Sequence, residues 1–290
     1  MNCVRDRLRC RRGSLRLRES MRGFTLIELL VVIGIIGILA SMLLLVLGRS
    51  KGKAHMTQCL NNLRQIGFAT SMYVHDHLDT FPSIYVRDTN GAVYGTTFFA
   101  IGGMERTYPV QHWLPHAVDR PLFQYLKPSE VYRCTEDNGT LLGISADPII
   151  QLKPTCWEIA GCSYAYSHGY YWFAPDTKNE IDGTIADNKE SWVPNPSKFI
   201  LFNEYPAVRI TVGPGEGIYC HWHERKRPEE FLQADLPKDP SRFISPIAFV
   251  DGHVARHDFT EAIKNGVPYI YEETKDWIWY KPKVPSLTGP

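Results

Sequence analysis

The chain carries almost no net charge: 32 Lys and Arg against 31 Asp and Glu leave +1 over 290 residues. A nucleic-acid partner calls for a dominant basic patch, and none stands out, so no nucleic acid is expected. Short catalytic signatures are also missing. There is no Gly-x-Ser-x-Gly elbow, no phosphate-binding glycine loop and no His-Glu-x-x-His helix. The seven cysteines include no Cys-x-x-Cys pair, which weakens a zinc-ribbon or dithiol redox reading. No Pro- or Ser-rich linker and no internal repeat divides the chain. These absences argue against an enzyme and leave a single globular part of about 210 residues, ample for one packed core.

What is present begins near the N-terminus. Phe24 to Leu47 is a run of 24 residues interrupted by one acid, Glu28. At helical rise it would reach about 36 Å, enough for a hydrocarbon core of about 30 Å. A lone carboxylate at one end of such a run is costly and needs a reason to be there. Ahead of it, residues 1–23 hold eight arginines against Asp6 and Glu19, a net of +6. The remainder is therefore about −5, because the whole chain is +1. Arginines on that side predict a cytoplasmic N-terminus with the bulk of the chain sent outward across the inner membrane. Met21 offers a second start besides Met1.

The order of these features differs from an ordinary signal peptide, where cleavage follows the apolar segment. The string Arg22-Gly23-Phe24-Thr25-Leu26-Ile27-Glu28 resembles the class III signal of type IV pilins and type II secretion pseudopilins. That resemblance implies a leader over 1–23 and cleavage after Gly23 by prepilin peptidase. Phe24 would become the N-methylated first residue. Glu28, the fifth mature residue, would neutralise the N-terminal ammonium of a neighbouring subunit during assembly. Opposite charges meeting in a low-dielectric layer stabilise each other, whereas either alone is penalised. The implied partners are the peptidase, other pilin-like subunits and the inner membrane, and the implied product is a pilus-like or pseudopilus-like filament.

A second resemblance is to a multi-copy group of pilin-like proteins of planctomycetes and verrucomicrobia. It rests on Thr57 to Gly67, Arg120-Pro121-Leu122, Val131 to Cys134, Ser163 to Tyr166 and the pair Asp251-Gly252. Members of that group carry a histidine separated from the Asp-Gly pair by nine intervening residues. Ser241 holds that place in this chain, and the nearest preceding histidine is His223.

The expected fold is α+β: one long helix over about 24–78 laid on an antiparallel sheet. Its half 24–47 is the membrane and assembly segment, 48–80 the amphipathic half, and 81–290 the head, loop-rich over 83–198. Cys59, Leu63, Ile66, Thr70 and Tyr73 recur every three or four residues as one helix face, with Asn61, Asn62, Arg64 and Gln65 on the others. Lys198 to Phe202 reads as a buried strand with Ala207 to Val212 as its neighbour. Asp251-Gly252 between apolar runs predicts a two-residue type I′ hairpin.

Candidate site residues lie in three groups. Five cysteines remain beyond the leader, and Cys134 with Cys156 or Cys162 is the expected disulfide in an oxidising compartment. His221, His223, His253 and His257 could bind zinc or another divalent ion if two strands brought the pairs together. Asp176, Glu180, Asp182 and Asp187 are acidic enough for calcium but lack the EF-hand pattern. No cofactor is otherwise expected. The alternative to a filament subunit is a membrane-anchored binding module whose head captures a metal, a glycan or a secreted substrate.

Overall fold

The computed structural model describes residues 24–83, 85–87, 90–95, 101–105, 115–127, 130–137, 139, 155–167, 184–207, 210–213, 216–218, 222–223, 242–264, 274–279 and 281. Helix α1 runs Leu26–Asp76. The chain falls into two compact units, one through Arg49 and one from Ser50 onward.

In the first unit α1 begins with a capping box. Thr25 N and Oγ1 both donate to Glu28 Oε2 at 2.8 Å, and Glu28 N donates to Thr25 Oγ1 at 3.2 Å. The reciprocal bonds satisfy donors that the first helical turn leaves without partners. Leu26–Leu44 is long and apolar enough to cross a membrane, and none of it is buried within the chain.

In the second unit the rest of α1 is amphipathic. Cys59, Leu63, Ile66 and Thr70 are fully buried and Tyr73 is half-buried, as the periodicity predicts. Burial of Leu63 and Ile66 is worth about 1.5–3 kcal/mol each. Asn62 departs from the expected polar side: it is buried, and its Nδ2 donates to Arg133 O at 3.0 Å and to the Tyr164 hydroxyl at 3.1 Å. Periodicity assigns asparagine to solvent because an unpaired amide is costly inside. Those two acceptors, far away in sequence, remove the cost. The helix ends as Asp79 N donates back to Val74 O at 2.9 Å, with Leu78 and Asp79 in left-handed backbone at φ 56° and 58°.

The head is an α+β arrangement built on a four-stranded antiparallel sheet. Its strands are β3 (Ala165–Tyr166), β4 (Ile200–Asn203), β7 (Ile244–Phe249) and β8 (Val254–Asp258), in the order β3-β4-β7-β8. All residues of β4 and β7 are buried, as befits strands covered on both faces. Two separate ribbons pair β1 (Tyr85–Arg87) with β2 (Val93–Gly95), and β5 (Ile210–Gly213) with β6 (Glu216–Ile218). Short helices α2 (Cys156–Ala160) and α3 (Thr260–Lys264) complete the described elements with several single 3-10 turns.

Two expectations are corrected. The segment 207–212 does not neighbour β4: its strand β5 pairs with β6, and β4 is flanked by β3 and β7. A short apolar run states that it will pair, but not with which strand. The β7–β8 hairpin forms at the expected place, with a different turn. Only Gly252 of the Asp-Gly pair has positive φ, +88°. Gly252 N donates to Phe249 O at 3.0 Å and Phe249 N to His253 O at 3.0 Å, closing a three-residue loop. The loop is also held from outside, since Val250 N donates to Phe199 O and Asp251 N to Pro196 O. The segment 278–279 near the C-terminus also joins the core. Ile278 bridges Phe199 in parallel, and Trp279 is buried.

His257 illustrates how this core constrains a polar ring. It stands edge-on to Phe249 and Trp277, at ring-centroid distances of 5.6 and 5.9 Å. Burial lowers its pKa, against Asp276, which raises it, and with His253, which lowers it further. The folded chain therefore holds this proton less tightly than the unfolded chain, so stability falls as the pH drops through about 6.5. His257→Gln is expected to flatten the fall in Tm between about pH 7.5 and pH 5.5. An unchanged slope would assign that acid sensitivity to other groups.

Candidate functional site

Four side chains from distant parts of the head converge on one buried point. Cys59 comes from α1, Cys134 follows a 3-10 turn (Glu130–Tyr132), Glu204 follows β4 directly, and His223 follows the buried Trp222. Cys59 Sγ lies 3.2 Å from Cys134 Sγ, Cys134 Sγ 3.7 Å from His223 Nε2, and His223 Nε2 2.7 Å from Glu204 Oε2. The four ligand-type atoms all lie within 4.8 Å of one another. The Glu204 side chain is 0 % and the His223 side chain 4 % exposed, so bulk water does not screen these groups.

Neighbouring structure sets this geometry. Half-buried His55, one turn before Cys59 on α1, pairs with Glu136, two residues after Cys134. Glu136 N also donates to Cys134 Sγ at 3.4 Å. Asn62, one turn further along, anchors the Arg133 carbonyl. Helix α1 is thus tied to the segment 133–136 at three successive points. On the other side the Ser245 hydroxyl of β7 accepts from Glu204 N at 3.1 Å, and Trp222 Nε1 donates to Gly139 O at 3.3 Å.

The electrostatics are those of an anionic cluster in a dry place. Burial opposes a charge on His223, but the Glu204 carboxylate and the Cys59 sulfur outweigh it and push the imidazole up to about 10. Burial drives the Cys134 thiol well above its usual range, while the contact from Cys134 lowers Cys59. Glu204 Oε1 and His223 Nδ1 are buried without a hydrogen-bond partner. Two sulfurs, an imidazole and a carboxylate so placed can hold a soft or borderline cation.

The structure sorts the expected site residues differently from the sequence. No disulfide joins Cys134 to Cys156 or Cys162, so the expected pairing is not formed. Cys134 turns to Cys59 instead, and Cys162 Sγ donates to Tyr164 O at 3.3 Å. Of the four histidines, His223 enters the cluster and His221 lies outside the described residues. His253 stacks on Phe249 with ring centroids 4.2 Å apart and pairs with Asp251 at 2.6 Å, while His257 packs among aromatics. Asp176, Glu180 and Asp182 also lie outside the described residues. Asp187 accepts from Ser83 Oγ at 3.0 Å. Cys59 and Glu204 were not among the candidates. Cys59 reads as an apolar helix residue, and Glu204 carries no local signal beyond following a buried strand.

At the other end of the chain, Gly23 precedes the first described residue, Phe24 is exposed, and Glu28 sits in the first turn of α1. The profile of the prokaryotic N-terminal methylation motif matches residues 20–44. No curated protein and no solved structure matches the chain. That match covers Thr25-Leu26-Ile27-Glu28 and the apolar first part of α1. The chain therefore carries the class III, prepilin-type N-terminal signal of type IV pilin-like proteins.

Proposed function

We propose that the chain is a structural subunit of a type IV pilus-like or type II secretion pseudopilus-like filament. The observation that carries this is the methylation motif over 20–44, coincident with an unburied apolar helix of membrane-spanning length. Prepilin peptidase cuts after Gly23 and Phe24 becomes the N-methylated end. The mature helix is held in the inner membrane, with its N-terminus cytoplasmic and the head periplasmic, until assembly. The apolar side chains of Leu26–Leu44 are not buried within the chain, so they need either lipid or the equivalent helices of other subunits. The function is then one of assembly, not catalysis.

Intact mass and N-terminal sequencing of the protein from membranes, with and without the peptidase, test the reading. A species beginning at N-methyl-Phe24 and present only with the peptidase is expected. An uncut chain, or a cut after the apolar run, would sink it and leave an anchored or secreted head.

A further inference from the structure

We propose that Cys59, Cys134, His223 and Glu204 form a closed zinc site inside the head. This goes beyond the filament role and does not depend on it. A tetrahedron with bonds of about 2.3 Å to sulfur and about 2.0–2.2 Å to nitrogen and oxygen has edges of roughly 3.3–3.8 Å. The sulfur–nitrogen distance of 3.7 Å falls in that range, while the sulfur–sulfur distance of 3.2 Å and the nitrogen–oxygen distance of 2.7 Å are shorter, as for donors that touch one another directly. Small movements about one centre would bring all four donors to bonding distance.

The chemistry of the set selects the ion. Two thiolates disfavour calcium and magnesium, which take oxygen ligands, and suit zinc together with imidazole and carboxylate. Two thiolates and a carboxylate around a divalent ion leave a net charge of about −1, less than the −2 of a four-cysteine site. The donation from Glu136 N to Cys134 Sγ offsets part of it. Glu204 adds an independent observation. Its carboxylate is fully buried, with Oε2 against His223 and Oε1 without a hydrogen-bond partner, so one buried oxygen is left for a further group such as a metal ion to satisfy. All four ligands come from the protein and are shielded from solvent, so the site is structural and keeps no open position for a substrate.

Its consequence is a cross-link between elements far apart in the chain. The metal joins α1 to the loop after the 3-10 turn, to the end of β4 and to the segment after Trp222. Because such a site does not exist in the unfolded chain, binding the ion contributes directly to folding.

The test uses the mature full-length chain, purified in detergent without chelator, with metal content measured by mass spectrometry. One zinc per chain is expected, and X-ray absorption should show two sulfur neighbours at about 2.3 Å. Cobalt exchanged into the site should give thiolate-to-cobalt charge-transfer absorption, lost in Cys134→Ser. Glu204→Gln keeps the side-chain shape and should weaken zinc binding at least about tenfold. If the cysteine variant does not fold, the zinc stoichiometry and sulfur count of the parent decide alone. A metal-free, folded parent would overturn the proposal, as would a Cys59–Cys134 disulfide seen in the non-reduced mass. Zinc without sulfur neighbours would overturn it equally.

Discussion

Glu28→Gln is expected to abolish filament assembly while leaving the subunit processed, membrane-bound and folded. The choice of glutamine matters because it separates the observed capping role of Glu28 from the assembly role proposed for it. In the single chain its carboxylate caps α1, accepting from Thr25 N and Thr25 Oγ1. Glutamine serves at this position of a capping box nearly as well as glutamate, so the helix start survives. What glutamine cannot do is neutralise the ammonium of a neighbouring Phe24 in an apolar layer. Leaving one member of a buried ion pair alone costs about 3–5 kcal/mol, so subunit association should weaken by roughly two to four orders of magnitude. Thr25→Ala is the control, removing the cap at a cost of about 0.5–2 kcal/mol without touching the charge. Counting filaments in both variants separates the roles. Wild-type assembly by Glu28→Gln would reduce Glu28 to a helix cap and remove the electrostatic account of assembly.

The largest stability effect is expected at Gly161. This residue ends α2 in left-handed backbone at φ 75°, with its N–H donating to Trp157 O at 2.8 Å. Its carbonyl accepts from Met104 N at 2.8 Å. A Cβ built on Gly161 would stand 2.0 Å from Met104 O, and one on Gly103 would stand 2.4 Å from Gly161 O. Two backbone segments therefore touch where no side chain fits, and buried Arg120 locks the pair by donating to Gly102 O and Ala160 O at 2.9 and 2.8 Å. Alanine at 161 adds left-handed strain of about 1–2 kcal/mol and must also push the segments apart, losing a hydrogen bond worth about 1 kcal/mol. A total near 3 kcal/mol or more is a large share of the roughly 5–15 kcal/mol that holds a domain together. Tm should fall by about 6–12 °C for a head of this size. Gly91 offers the comparison, with φ 84° and open space around its Cβ position. Gly91→Ala should therefore cost the backbone strain alone. Equal losses of Tm in the two variants would show that the backbone contact at Gly161 relaxes freely and contributes nothing.

Several features of this protein were determined by sequence over short distances. The signal at Gly23 to Glu28 is contiguous chemistry, and the methylation-motif match falls on it. The buried stripe of α1 follows from a period of 3.6 residues, and the β7–β8 hairpin from apolar runs on either side of Asp251-Gly252. Each of these is decided within a few residues, where periodicity, capping and turn propensity act.

Only the tertiary structure decided the rest. Asn62 could be buried because Arg133 and Tyr164, 71 and 102 residues away, supply its acceptors. β5 found β6 and not β4, and Ile278 joined Phe199, because pairing partners are chosen by packing across the whole head. The cysteine cluster is the clearest case. Cys59 and Cys134 are 75 residues apart and Cys134 and His223 are 89 apart, with no local spacing that announces a site. Residue type states what chemistry a side chain can do. Which side chains meet depends on how α1, β4 and the intervening loops pack, and that information is spread over the chain with no period to read.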